Sequence, residues 1–118
     1  MYSERAELLI KELPNCGELE GATHTAKASN PVCGDVIELF LKVKEGKVSK
    51  ARYKVRGCPA AMAAAAGLSL LLQDRSISEL SILTTDDLNA YLGGLPEHKK
   101  HATDLAVQVL KKALNHPQ

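Results

Sequence analysis

Apolar and polar positions alternate most clearly between Val36 and Val55. Ile37, Leu39, Leu41 and Val43 make one apolar set, and Ala51, Tyr53 and Val55 make another. A period of two puts each set on one face of a strand. The charged, glycine-containing turn Lys44-Glu45-Gly46-Lys47 separates them, which predicts a β-hairpin. A turn centred between Glu45 and Gly46 would pair Val43 with Val48 and Val36 with Val55. Carried past the strand ends, that register sets Cys33 opposite Cys58. A turn one residue longer or shorter would shift the pairing by one. On the second strand, Lys50, Arg52, Lys54 and Arg56 form a basic row, read as a solvated face. Phe40 shares the first strand's less apolar face with Val36 and Glu38, and is a candidate partner contact. One buried and one wet face fit a sheet covered by helices on one side.

The flanking segments read mostly as helices. Ser3 can cap a helix from Glu4 to Leu13, with Ala6, Leu9, Ile10 and Leu13 as its apolar stripe and Pro14 as its stop. Asn15-Cys16-Gly17 is a turn signal. Between Glu20 and Ser29, the weak alternation of Ala22, His24, Ala26 and Ala28 permits a strand that would complete a three-stranded antiparallel sheet. Cys58-Pro59 opens an alanine-rich helix over Ala60 to Gln73, because proline is favoured at the first helical position. Ser76 to Leu80 has a capping pattern, and Thr85-Asp86-Asp87-Leu88 starts a short helix ending at Gly93-Gly94. The last helix is expected from Glu97 to Leu114, with Ala102, Leu105, Ala106, Val109, Leu110, Ala113 and Leu114 on one stripe.

Composition narrows the function classes. At 118 residues the chain (1–118) is expected to form one domain with a core that needs no disulfide. Fifteen Lys plus Arg against 14 Asp plus Glu give no overall field for nucleic acid or membrane. One Phe, three Tyr and no Trp offer no stacking platform for bases. The apolar run from Pro59 to Leu72 is too short to span a bilayer. The first ten residues carry acidic side chains and no apolar block with a cleavage site, so no signal peptide is expected. The expected location is cytoplasmic, where thiols stay reduced and a cysteine pair serves as ligand or nucleophile rather than staple.

Cys33, Asp35, Cys58 and a histidine from the last helix would make a four-ligand set. Two soft thiolates, an imidazole and a carboxylate suit zinc or an iron-sulfur cluster, and suit calcium or magnesium poorly. Spacing alone leaves other readings open, since no C-x-x-C pair is present. The cysteines could be buried free thiols. Alternatively, Cys58 at a helix start could act as a nucleophile with His101 as base.

Three motifs in order carry a resemblance. They are Asn30-Pro31-Val32-Cys33-Gly34-Asp35 before the hairpin, Arg56-Gly57-Cys58-Pro59 before a helix, and Leu95-Pro96-x-x-Lys99-x-His101 opening the final helix. Together they resemble the U-type iron-sulfur cluster assembly scaffolds, the family that includes the amino-terminal domain of NifU. The resemblance covers essentially the whole chain, including Tyr2-Ser3-Glu4 and Asn15-Cys16-Gly17. It implies an α+β fold: a three-stranded antiparallel sheet with helices packed mainly on one face and a long C-terminal helix. It also implies a scaffold rather than an enzyme. A transient [2Fe-2S] cluster would be built from iron and the sulfur supplied by a cysteine desulfurase, then passed to recipient apo-proteins. Residue by residue, Cys33 and Cys58 match the first two cysteines of the family site, Asp35 its aspartate and His101 its histidine. The third cysteine falls at Ala102, and its absence is the main departure. Cys16 and His98 are the candidate replacements. A diverged member binding Zn2+, or no metal, as an interaction module is the alternative. A homodimer sharing a cluster between chains would recover thiolates.

Overall fold

The structure, a computed structural model, describes residues 2–117. Its elements in chain order are α1 (Glu4–Glu12), β1 (His24–Asn30), β2 (Asp35–Lys44), β3 (Lys47–Arg56), α2 (Pro59–Leu71), α3 (Ile77–Ser81), α4 (Thr85–Tyr91) and α5 (His101–Leu114), with a 3-10 turn at Glu97–Lys99. The three strands form one antiparallel sheet in the order β1-β2-β3. The weak alternation of β1 is a strand because its neighbour is strong: Ala26 lies opposite Leu39 and Ala28 opposite Ile37. The fold is thus the expected α+β arrangement.

The inner face of the sheet holds Ile37, Leu39, Leu41, Ala51 and Tyr53, all fully or almost fully buried. Helix α5 lies along β1 and β2, and α2 lies along β3. The expected stripe of α5 is buried from Ala102 to Ala113, and Leu114 packs against the core half-buried. Each buried Leu or Val on it contributes roughly 1.5–3 kcal/mol of hydrophobic stabilisation. Helix α2 is buried almost all round between Ala60 and Ser69. It lies between the sheet and helices α1, α4 and α5, which is why small residues fill it. A β-carbon at Gly67 would come within 2.5 Å of Leu92 Cδ2, so this crossing needs glycine.

The structure departs from the sequence expectations at three points. The hairpin turn pairs Val43 with Val48 as expected, but a bulge between Lys42 and Val43 shifts the rest by one. Val36 therefore faces Arg56, not Val55, and Ile37 faces Val55. Phe40 is no exposed partner contact, being only 9% exposed. On the outer face its neighbours along and across the strands are Glu38, Lys42, Thr25 and Arg52. The last helix starts at His101 rather than Glu97, after the 3-10 turn. Helix α4 starts at Thr85 as expected, capped by Thr84 in a capping box with Asp87.

Candidate metal centre

The β1–β2 turn is shaped by Asn30. Its Oδ1 accepts from the backbone N–H of Val32 at 3.0 Å and of Cys33 at 3.4 Å, and its carbonyl accepts from Gly34 N–H at 2.7 Å. Gly34, with φ of +75°, completes the turn. The result is an exposed Cys33 on a fixed loop. Two residues later, Asp35 begins β2 and is only 1% exposed. At the other end of the hairpin, Cys58 is the N-cap of α2 with Pro59 at its first turn, as the sequence predicts. Cys58 makes no side-chain cap bond, so its sulfur is free to face the site.

Asp35 is the hub. Its Oδ1 accepts from Cys58 N–H at 2.9 Å, which ties β2 to the start of α2. Its Oδ2 lies 3.6 Å from Cys58 Sγ and 3.4 Å from His101 Nε2. That imidazole nitrogen is buried and makes no hydrogen bond among the described residues. An orphaned buried nitrogen beside a buried carboxylate is costly unless something positive sits between them. Cys33, Asp35 and His101 each offer a ligand atom, and those atoms lie within 4.8 Å of one another. Cys58 is outside this mutual set and joins it through Asp35.

Gly57 makes this packing feasible. Its φ of +146° is one that side chains rarely adopt. A β-carbon there would sit 2.8 Å from Asp35 Cγ and clash with Oδ1. The carboxylate fills the space that any other residue at 57 would occupy. The sequence reading took Gly57 only as part of a motif and missed this role. It also missed the Asx turn of Asn30, although an Asn-Pro step at a strand end is a turn signal.

Of the four expected site residues, the structure groups the ligand atoms of Cys33, Asp35 and His101, and places Cys58 Sγ 3.6 Å from Asp35 Oδ2. The proposed replacements stand apart from them. Cys16 bridges the free edge of β3 at Tyr53, and Gly17 N–H donates to Tyr53 O at 2.7 Å. Five residues of strand, about 16 Å, separate Tyr53 from Cys58. His98 is exposed on the 3-10 turn. His24 and His116 likewise lie outside the mutual set. Ala102, where the third cysteine would fall, is fully buried beside His101. The mutual set holds one thiol, one imidazole and one carboxylate, with the Cys58 thiol 3.6 Å from that carboxylate, donors that fit zinc and iron.

A three-stranded antiparallel sheet with such a set at one end, backed by helices on one face, is the architecture of a small metal-handling scaffold. The chain belongs to the NifU-like N-terminal domain family, which matches residues 1–117. It is 32% identical to the iron-sulfur cluster assembly scaffold protein IscU 1 of Archaeoglobus fulgidus over 114 residues, 97% of this chain and 74% of that protein. It is 36% identical to the iron-sulfur cluster assembly enzyme IscU of Drosophila melanogaster over 118 residues, 97% of this chain and 76% of that one. The crystal structure of the N-terminal part of a NifU-like protein from Brucella abortus superposes with a TM-score of 0.80 at 15% identity. It covers 96% of this chain and 91% of that one, a likeness of fold.

Proposed function

We propose that this chain is a cytoplasmic, single-domain iron-sulfur cluster assembly scaffold whose cargo is held by Cys33, Asp35, Cys58 and His101. It is not an enzyme: the cluster is built on it from iron and desulfurase-supplied sulfur and leaves for recipient apo-proteins. The observation that carries this reading is the convergence of Cys58 Sγ and the unbonded His101 Nε2 on one oxygen of buried Asp35. Loading would release the thiol protons of Cys33 and Cys58 to solvent, since only thiolates bind metal. His101 would give its unbonded Nε2. Asp35 offers a hard oxygen in an otherwise softer set, which favours release over permanent retention. With two thiolates instead of three, a [2Fe-2S] cargo is held less firmly than on a three-cysteine site.

A second reading has its own observation. The Cys33, Asp35 and His101 ligand atoms all lie within 4.8 Å of one another, near enough for a single ion to draw them in. Bond lengths of about 2.0–2.3 Å in a tetrahedron put ligands roughly 3.5 Å apart, so a small inward shift, with Cys58 as fourth ligand, would hold Zn2+. In that case the chain is a zinc-bound interaction module of the same family.

One experiment separates the two. Wild type, Ala102→Cys and Cys33→Ser are reconstituted anaerobically with iron and sulfide, and iron, sulfide and zinc are counted per chain. The scaffold reading expects cluster absorbance from wild type above the Cys33→Ser control, and a longer-lived cluster on Ala102→Cys. Cluster on Ala102→Cys alone would leave the zinc reading. Cluster on neither chain would end the scaffold reading.

A further inference from the structure

The outer face of the sheet is charged far more one-sidedly than the rest of the chain. From the Val36–Arg56 rung to the Lys42–Lys50 rung, the register places Lys27, Glu38, Lys42, Lys50, Arg52, Lys54 and Arg56 on it, six cations and one carboxylate. Taking this net +5 from the formal +1 of the chain leaves −4 for everything else. Lys42 lies directly opposite Lys50, a like-charge pair that weakens the sheet. Lys54 bonds Glu18 at 3.1 Å and Arg52 bonds Asn15 Oδ1 at 3.0 Å. Lys27, Lys42, Lys50 and Arg56 have no ion pair among the described residues. No helix covers this face, and it holds a concavity of about 330 Å³ lined by Lys27, Val36, Glu38, Lys54, Val55 and Arg56. The concavity lies at the metal-centre end of the sheet: Val36 follows Asp35 and Arg56 precedes Gly57-Cys58.

We infer that this face docks the acidic surface of a protein that exchanges cargo with the site, an inference that rests on the scaffold reading. Three features favour a folded acidic protein over a polyphosphate or a lipid surface. Lys27, Glu38 and Lys54 alternate in sign across the three strands, with Glu18 beyond them. A uniform row of phosphates would lie on Glu38 and Glu18, whereas a protein surface can place carboxylates at Arg56 and Lys50 and a cation at Glu38. The ring of Phe40 is buried, so no aromatic is presented for base stacking. Val36 and Phe40 are the only large apolar residues on the face, and neither is exposed enough to enter a bilayer. The −4 remainder disfavours long polyanions and orients an acidic partner towards this one face.

The test uses the metal-free full chain, so that its outcome is independent of cluster loading. A soluble peptide bearing a block of Asp and Glu is titrated into isotope-labelled protein, and amide shifts are mapped. The shifts should cluster at Lys27, Val36, Glu38, Lys54 and Arg56. Raising salt from about 0.05 to about 0.5 M should weaken binding, because screening shortens to a few ångströms. Lys54→Glu with Arg56→Glu should weaken it about tenfold or more. Lys42→Glu alone, a variant that turns the like-charge pair with Lys50 into an opposite-charge one, should weaken it too and guards against a folding defect in the first. Cys33→Ser should bind as wild type does. Scattered shifts or unchanged affinity in both charge-reversal variants would overturn the inference. So would tighter engagement of the same residues by an oligonucleotide or by phosphatidylserine vesicles. An increase in mass with protein concentration that accounts for the shifts would assign the face to self-association instead.

Discussion

Gly57→Ala is the substitution that tests the metal centre most directly. The added methyl would lie 2.8 Å from Asp35 Cγ and 3.0 Å from Asp35 Cα, and it would overlap Oδ1. The carboxylate must swing away, which breaks the 2.9 Å bond from Cys58 N–H and leaves that donor without its partner. Losing a hydrogen bond to a charged group costs about 1.5–3 kcal/mol. Holding a non-glycine residue at this φ costs about 1–3 kcal/mol more. A destabilisation of roughly 3–5 kcal/mol is expected, or about 10–20 °C in Tm for a chain this size. The assay is a double-mutant cycle by denaturant or thermal unfolding of the metal-free protein. In an Asp35→Ala background the carboxylate is gone, so Gly57→Ala should cost only the backbone part, about 1–3 kcal/mol. An equal cost in both backgrounds would refute the argument that Gly57 exists to seat the Asp35 carboxylate. Metal affinity supplies a second readout, with a loss of about 10–100-fold expected from a mispositioned ligand.

Two further outcomes follow from other residues. Tyr53 is fully buried with its hydroxyl unpaired among the described residues, so Tyr53→Phe should stabilise the protein by about 1 kcal/mol in thermal unfolding. Burial first, and Cys16 nearby second, push its phenol well above the ordinary 10.0, so the folded state resists ionisation. The unfolded chain therefore gains on the folded one as pH rises above about 10, and unfolding free energy should fall there in wild type and less in Tyr53→Phe. Asn30→Ala should change stability by no more than about 1 kcal/mol, since the turn it closes is exposed. It should weaken metal binding about tenfold by loosening the loop that carries Cys33, and competition with a colorimetric chelator reads this out.

The hairpin, the cap at Cys58 and the stripe of α5 were legible in the sequence because each follows a local rule: a period of two, a proline at a first turn, a period of 3.6. Three motifs in a fixed order also pointed to the candidate site residues, whose ligand atoms the fold gathers around Asp35. β1 was faint because Ala26 and Ala28 carry little β preference of their own and depend on Leu39 and Ile37 across the ladder. The bulge at the far end of the hairpin has no composition signal in Ser49 or Lys50. Phe40 looked like an outlying apolar residue because the side chains around it come from three strands. The late start of α5 reflects Pro96 and the 3-10 turn that follows it, which local spacing did not separate from the helix. Gly57 needed three dimensions, since nothing near it in sequence says that an aspartate from another strand lies over it.

The bulge between Lys42 and Val43 reaches further than its position suggests. If Ser49 were paired rather than bulged out, the same strands would run on in the turn's own phase, and Asp35 would stand across from Arg56. With the bulge, the last rung before the metal centre is Val36–Arg56, and Asp35 lies beside Gly57, a neighbour with no side chain. The hairpin thus behaves as a vernier, in which a single count taken up at one end selects what meets the carboxylate at the other. Lineages that lengthen or shorten this hairpin are bound by the same arithmetic. A change of one residue in either strand has to be answered by another or taken up by the bulge, or the aspartate loses its seat.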